Sequence, residues 1–394
     1  MVTFVPTRPG RLADVPSFDR AIGGAESNVA CALAAAGHAV RWVSRVGADG
    51  FGDHLLETIA SYGVDVSAVG RDPARPTGVY FRTAGDRATD AHEVAYYRAG
   101  SAASAMSAAT VDLAAVRAGR ILHLSGITAA LSDGCLGLLR ELTDPAGGEP
   151  PLVSFDVNYR AGLWGSGDGS RILLELARRA DVVFVGEDEA EQAWGVTGGP
   201  SAVRDLLPEP AVLVVKQGGA GATAFVSAAA RWGLAAQFPA PLKGRYDRPS
   251  FPAAGSRAAG AMGVPPLARS RERGRVGAGG TLPAPVSVPT PRPHPTGTFE
   301  PAPAVDVVAT VGAGDAFAAG FLSGLLRGLP LPQTLRLGHL FAAAALTTPA
   351  DLAPPPARDT TDRLTALDAD AWGRLRLGPG WTEADAAEEE VPSP

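Results

Sequence analysis

The stretch Ala309-Thr310-Val311-Gly312-Ala313-Gly314-Asp315, followed by Ala316-Phe317-Ala318-Ala319-Gly320-Phe321-Leu322, holds the strongest chemical signal in the sequence. An apolar run enters a turn of small residues, and a helix is predicted to start at or near the aspartate. Backbone N–H groups of Gly312, Ala313 and Gly314 at a helix N-terminus make an anion site, because their partial positive charges converge with no side chains in the way. The same dipole keeps a first-turn carboxylate ionised. Asp315 is thus suited to accept a proton from a hydroxyl while the N–H groups stabilise charge on a transferring phosphoryl group. The competing reading is a plain helix cap at Asp315, with glycines that permit close packing.

Other nucleotide and metal motifs are missing from the sequence. The only lysines, Lys216 and Lys243, do not complete a G-x-x-x-x-G-K-[ST] loop. No G-x-G-x-x-G opens a helix after a strand. His92-Glu93 does not extend to H-E-x-x-H, and neither Cys31 nor Cys135 has a partner at metal-ligand spacing, which argues against zinc-dependent hydrolysis.

The elements that must position these residues follow an alternating rhythm. Strand-length apolar runs at Val40–Ser44, Ile121–Leu124, Leu152–Phe155, Asp181–Val185 and Ala211–Val215 alternate with helical patterns at Phe51–Tyr62, Asp133–Leu142 and Ile172–Arg179. Buried strands separated by helices predict a mostly parallel sheet covered on both faces. Residues 78–83 and 93–98 break the rhythm as two short β-type runs around a polar turn, which predicts a hairpin outside the main sheet and suited to a lid. After Ala304 an apolar run to Val308 leads through the Gly-rich turn to helices at 315–327 and 333–347.

Composition locates an insertion. Gly (48) and Pro (34) make about a fifth of the 394 residues, and residues 241–304 alone hold 13 of the prolines. That segment carries nine basic and three acidic residues, a local +6 in a chain of net charge −6. It reads as a solvated low-complexity loop; what remains, about 330 residues, suits one large α/β domain. Two cysteines cannot build a disulfide framework, no leader-like start is present and no run of 18 apolar residues occurs, so a cytoplasmic protein without a membrane span is expected. The acidic balance argues against nucleic acid as a partner.

The Gly-Ala-Gly-Asp turn resembles the second signature of the ribokinase-like (PfkB) carbohydrate kinases. Gly23-Gly24-Ala25-Glu26-Ser27-Asn28-Val29-Ala30, with Gly37 and Arg45-Val46-Gly47-Ala48-Asp49-Gly50-Phe51-Gly52, resembles the first. Lys216-Gln217-Gly218-Gly219-Ala220-Gly221 lies between them and is similar to the family's K-x-G-x-x-G nucleotide loop. Within the family, Tyr96-Tyr97-Arg98-Ala99-Gly100-Ser101-Ala102, His123-Leu124-Ser125-Gly126-Ile127-Thr128 and Asp156-Val157-Asn158-Tyr159-Arg160 are similar to segments of the 2-keto-3-deoxygluconate kinase subgroup.

The resemblance implies a three-layer α/β/α fold with a mostly parallel sheet and a small β lid. The kinase domain would span 1–240 and 305–375, with the lid at 1–22 and 75–100, the insert at 241–304 and an acidic tail at 376–394. It implies ATP and Mg²⁺ as cofactors and the terminal hydroxyl of a keto sugar acid as acceptor. Asp315 would be the base and Gly312, Ala313 and Gly314 the anion hole. Gly24, Asn28, Tyr80, Tyr96, Arg98 and Arg160 would bind substrate. Lys216, Gly218, Gly221 and His339 would lie along the nucleotide, and Glu189 would position magnesium and phosphate. A homodimer through the lid is a further implication.

Physical chemistry agrees on the arginines, since a carboxylate offers a guanidinium a forked, charge-assisted bond that a neutral sugar does not. Taken singly, each arginine also suits a surface ion pair and each tyrosine a core position. The alternatives are the same chemistry on fructose, ribose or a nucleoside, and a decayed relative that binds a sugar acid without turnover.

Four departures from the family pattern accompany the likeness. Ala309 stands where an aspartate helps hold a monovalent cation, which leaves that cation site open. Gly186 replaces the asparagine of an N-x-x-E motif whose glutamate is Glu189. About ten residues, including a central strand, are expected ahead of Met1. The insert separates Lys216 from Ala309 by 93 positions, which loop-closure entropy tolerates because it grows only logarithmically with length.

Overall fold

The computed structural model describes residues 1–8, 10–83, 94–144, 151–165, 167–227, 297–350 and 352–383. The bulk of the predicted insert and most of the acidic tail lie outside them. In chain order the strands are β1 (Val2–Pro6), β2 (Phe18–Ile22), β3 (Arg45–Gly47), β4 (Gly70–Asp72), β5 (Val79–Arg82), β6 (Val94–Tyr97) and β7 (Ile121–Ser125). There follow β8 (Leu152–Asp156), β9 (Val182–Gly186), β10 (Val212–Lys216), β11 (Gly221–Val226), β12 (Thr298–Pro301), β13 (Ala304–Val305) and β14 (Arg376–Leu377).

Six strands form the main sheet in the order β12-β11-β10-β9-β8-β7. The pairs β7–β8, β8–β9 and β9–β10 are parallel, and β11 and β12 run antiparallel. The near-continuous apolar runs of β9 and β10 bury both faces, as strands covered on both sides require. Val183, Val185, Leu213 and Val215 pack toward the helices Asp133–Leu142, Gly169–Arg178 and Gly199–Leu206. Their neighbours Val182, Phe184, Val212 and Val214 pack on the opposite face against helices Ala25–Ala35, Ala313–Leu326 and Leu331–Leu346. The result is the expected α/β fold in three layers with a mostly parallel sheet.

A separate four-stranded sheet has the order β2-β1-β5-β6. β5 and β6 pair antiparallel with Tyr80 opposite Tyr96, whose rings lie 5.6 Å apart. On the other face Phe4 stacks on Phe81 at 4.8 Å. The alternation of residues 79–82 thus divides the sheet into an aromatic packed face and a face carrying Tyr80 and Arg82.

Three expectations need correction. Residues 298–301, placed in the insert, form β12, which pairs with β11 from Gly221–Pro301 to Ala224–Thr298. Arg376 and Leu377, placed in the tail, form β14, and Leu377 is buried. Val40–Ser44 makes no strand, only a bridge from Arg41 to Asp65, because among the described residues no strand lies beside it to complete a ladder. A cavity of about 330 Å³ separates this segment from β7, lined by Val29, Leu33, Val40, Trp42, Leu124 and Leu139 among others. β7 is therefore the terminal strand of the main sheet. Among the described residues no helix is long and apolar enough to cross a membrane.

Candidate active site

A cavity of about 580 Å³ opens where the carboxyl ends of β8, β9 and β10 meet the face of the small sheet, the position at which open parallel sheets carry their ligands. Gly312 enters it with φ 80°, a left-handed conformation that a side chain disfavours. The chain turns there into helix Ala313–Leu326. The backbone N–H groups of Gly312, Ala313 and Gly314 find no backbone acceptor among the described residues, so they are available to an anion. Asp315 occupies the first turn, and its Oδ2 accepts a hydrogen bond from Asn28 Nδ2 at 2.9 Å. Burial pushes the Asp315 carboxyl up to about 7. The Asn28 bond and the Lys216 ammonium oppose that rise, while Asp156 and Glu26 add to it. A carboxylate so tuned can take a proton at neutral pH.

Lys216 ends β10. Its Nζ reaches across β9, where its register partner is Gly186, to stand 3.2 Å from both carboxylate oxygens of Asp156 on β8. Burial works to strip the Lys216 proton, yet Asp156, Glu189 and Asp315 hold the ammonium above the ordinary lysine value. Glu189 Oε2 accepts from the Gly186 N–H at 2.9 Å and so caps helix Glu187–Trp194. Its other oxygen meets Arg160 Nη1 at 3.3 Å.

On the side of the small sheet, Arg98, Tyr80 and Tyr96 line the same cavity. Burial lowers the Arg98 value and nearby Glu26 and Tyr96 counter it. Among the described residues Arg98 Nε has no partner, and neither do two buried acceptors in the cavity wall, Asn28 Oδ1 and Asn158 Oδ1. Buried polar atoms without partners cost about 1–3 kcal/mol each, and a ligand rich in hydroxyls with one acid group would satisfy all three. Asn158 adopts a positive φ of 42°. Glu26 accepts a short hydrogen bond from the Thr128 hydroxyl.

Eleven of the residues singled out in the sequence therefore meet in one cavity: Gly24, Asn28, Tyr80, Tyr96, Arg98, Arg160, Glu189, Lys216, Gly312, Gly314 and Asp315. Gly218 and Gly221 flank a short turn before β11 and do not line it. His339 is not brought there either. It is buried beside Phe317, bonds the Glu300 carbonyl through Nε2 at 3.1 Å and is held neutral by burial, its value pushed down to about 4. It anchors β12 to the helix layer. Asp156, Asn158 and Glu26 line the cavity without having been singled out. All three sit inside motif segments; the usable signal for Asp156 is a polar residue at the carboxyl end of a buried strand, whereas Glu26 lies in the first turn of helix Ala25–Ala35.

For magnesium, no group of three or more His, Cys, Asp or Glu able to hold a metal exists among the described residues. Mg²⁺ usually keeps water and phosphate as its main ligands, with one or two carboxylates. Glu189, at the cavity edge, fits that lesser part. The Ala309 N–H engages the Leu346 carbonyl at 3.3 Å, which ties the segment before the Gly312–Gly314 turn to the end of helix Leu331–Leu346.

Comparison with known proteins gives a consistent picture. A family model described as pfkB family carbohydrate kinase matches residues 1–237 and 293–358. The chain is 34% identical over 220 residues to a 2-dehydro-3-deoxygluconokinase of Thermoproteus tenax, covering 55% of this chain and 66% of that protein. It is 28% identical over 364 residues to the 2-dehydro-3-deoxygluconokinase of Bacillus subtilis (strain 168), covering 91% of each. Among solved structures, a PfkB protein from Polaromonas sp. JS666 superposes with a TM-score of 0.65 at 28% identity, covering 93% of this chain and 97% of that one.

Proposed function

The chain belongs to the pfkB family of carbohydrate kinases, and from that premise we propose that it transfers the γ-phosphate of ATP to the terminal hydroxyl of 2-dehydro-3-deoxygluconate, also called 2-keto-3-deoxygluconate. The observation that carries the acceptor is the pairing of Arg98 and Arg160 across one cavity with the unpartnered oxygens of Asn28 and Asn158. The arginines suit a carboxylate and the amide oxygens suit hydroxyl donors. The names of the Thermoproteus and Bacillus relatives support the same acceptor.

Asp315 takes the proton of the attacking hydroxyl, held toward it by Asn28. The N–H groups from Gly312 to Gly314 face the charge that develops on the transferring phosphoryl, and one such preorganised donor is typically worth about 3–4 kcal/mol. Magnesium neutralises triphosphate charge when bound, and Glu189 is the carboxylate that would approach it. The sheet β2-β1-β5-β6 acts as a lid that keeps water from the donor. An ADP-release assay across the keto acid, fructose and ribose tests the reading. Turnover of the keto acid should exceed the neutral sugars by at least about a hundredfold in kcat/KM, the loss of one buried charge-assisted contact being worth roughly 3 kcal/mol. Faster turnover of fructose or ribose overturns it.

A further inference from the structure

A half-buried lysine beside the Gly312–Gly314 turn needs an explanation. Lys216 sits at the end of β10, its side chain 18% exposed, with both oxygens of Asp156 at 3.2 Å. Two charges at that distance in a plain ion pair would satisfy each other and act on nothing else. Here the ammonium is shared. A Cβ placed on Gly314 would lie 3.6 Å from Lys216 Nζ, so the charge stands against the turn that presents Asp315. Both Lys216 and Asp315 face the substrate cavity.

The charged and polar groups that act on Asp315 come from several elements. Asn28 and Glu26 come from helix Ala25–Ala35, Lys216 from β10 and Asp156 from β8, with Glu189 of helix Glu187–Trp194 acting on Lys216. Three carboxylates surround one ammonium. Without the cation, Asp315 would face Asp156 and Glu26 in a buried site with only Asn28 in its favour. Like charges at such range disfavour joint ionisation.

We propose that Lys216 is a positioning residue for proton transfer: its ammonium holds Asp315 as the ionised, proton-accepting carboxylate, and Asp156 fixes that ammonium beside the catalytic turn. The inference rests on Asp315 being the base. It assigns Lys216 to the acceptor's proton and away from the nucleotide, and it gives Asp156 an opposing sign. Asp156 anchors the cation that favours the ionised base while its own negative charge disfavours it.

The test is the pH dependence of kcat in the full chain with ATP, Mg²⁺ and the keto acid, with a direct titration of the Asp315 carboxyl by ¹³C NMR in the unliganded protein. In Lys216→Met both the acid limb and the carboxyl midpoint should move up by at least one pH unit. Lys216→Arg should keep them within half a unit of the parent. Lys216→Gln should move both upward in the same way, and it stands as the test should Lys216→Met not fold. A uniform loss of rate with unmoved midpoints in the neutral Lys216 variants overturns the proposal. Asp315→Asn separates the two readings. If it keeps near-parental turnover, the base assignment itself fails; if it is inactive while the Lys216→Met midpoint stays in place, only the role of Lys216 fails.

Discussion

Asn28 and Asp315, 287 residues apart in sequence, share a 2.9 Å hydrogen bond between the first-turn carboxylate of one buried helix and the amide of another. Helix Ala25–Ala35 packs directly on helix Ala313–Leu326, so the bond reports how precisely the two signature segments are brought together. It restrains the carboxylate that the proposed chemistry needs.

Asp315→Asn is expected to lower kcat by at least a thousandfold, read by ADP release, and the same variant should be more stable at alkaline pH. The sign follows from linkage. A carboxyl at about 7 in the fold against 3.8 ordinarily binds its proton more tightly when folded. Its stabilising contribution is full below pH 3.8 and is lost as pH rises through 7. At pH 8 the neutral amide should therefore raise the melting temperature by a few degrees, and the gain should shrink toward pH 4. Equal melting at both pH values would contradict a raised Asp315 carboxyl.

The two arginines should differ. Arg98 is largely buried beside Glu26 with an unpartnered Nε, whereas the Arg160 side chain is 56% exposed and already shares Glu189. Arg98→Gln should reduce kcat/KM for the keto acid roughly ten- to a hundredfold, and Arg160→Gln by less. Neither should slow a neutral sugar to that extent. Parallel losses on both classes of acceptor would assign the arginines to the fold.

Acid should loosen the molecule through its histidines. Burial pushes His38, His123 and His339 down to about 4 from 6.5, so the unfolded chain binds these protons first. The stability of the neutral forms is whole above pH 6.5 and declines as pH falls toward 4. Urea midpoints measured between pH 7 and 4.5 in the Asp315→Asn background, where the opposing carboxyl is removed, should fall steadily. A flat profile would show these rings to be solvated.

Packing between the last two long helices leaves no room for a methyl group at Gly320. A Cβ there would lie 2.5 Å from the Leu337 carbonyl oxygen and 2.9 Å from Gly338 Cα. Since both are backbone atoms, Gly320→Ala should cost about 1–3 kcal/mol, visible as a lower melting temperature. Gly137→Ala, in helix Asp133–Leu142 with nothing within 4 Å of its Cβ position, should be neutral or stabilise by up to about 1 kcal/mol. Equal behaviour of the two variants would refute the close helix contact.

Much of this was legible in the sequence because local pattern decided it. The runs Val182–Val185 and Val212–Val215 are apolar without a break, and only a strand buried on both faces uses such a run. The turn before Asp315 is equally local. What escaped depends on partners far away in sequence. β12 is a four-residue strand at the end of a Pro- and Arg-rich segment, and only β11 makes it a strand. Val40–Ser44 has strand composition, yet among the described residues it makes a single bridge, to Asp65, and no ladder. The reach of Lys216 to Asp156 is set by the register of three parallel strands, and the bond of His339 joins it to the Glu300 carbonyl 39 residues away.

The outer edge of β7 has a colloidal consequence. Parallel pairing directs Arg120 and Leu122 toward β8, so the backbone of Ile121 and His123 faces the cavity beside Val40 and Trp42. An uncharged strand edge next to apolar walls is a template on which a neighbouring molecule can add a strand. That edge lies at the end of the main sheet opposite β12.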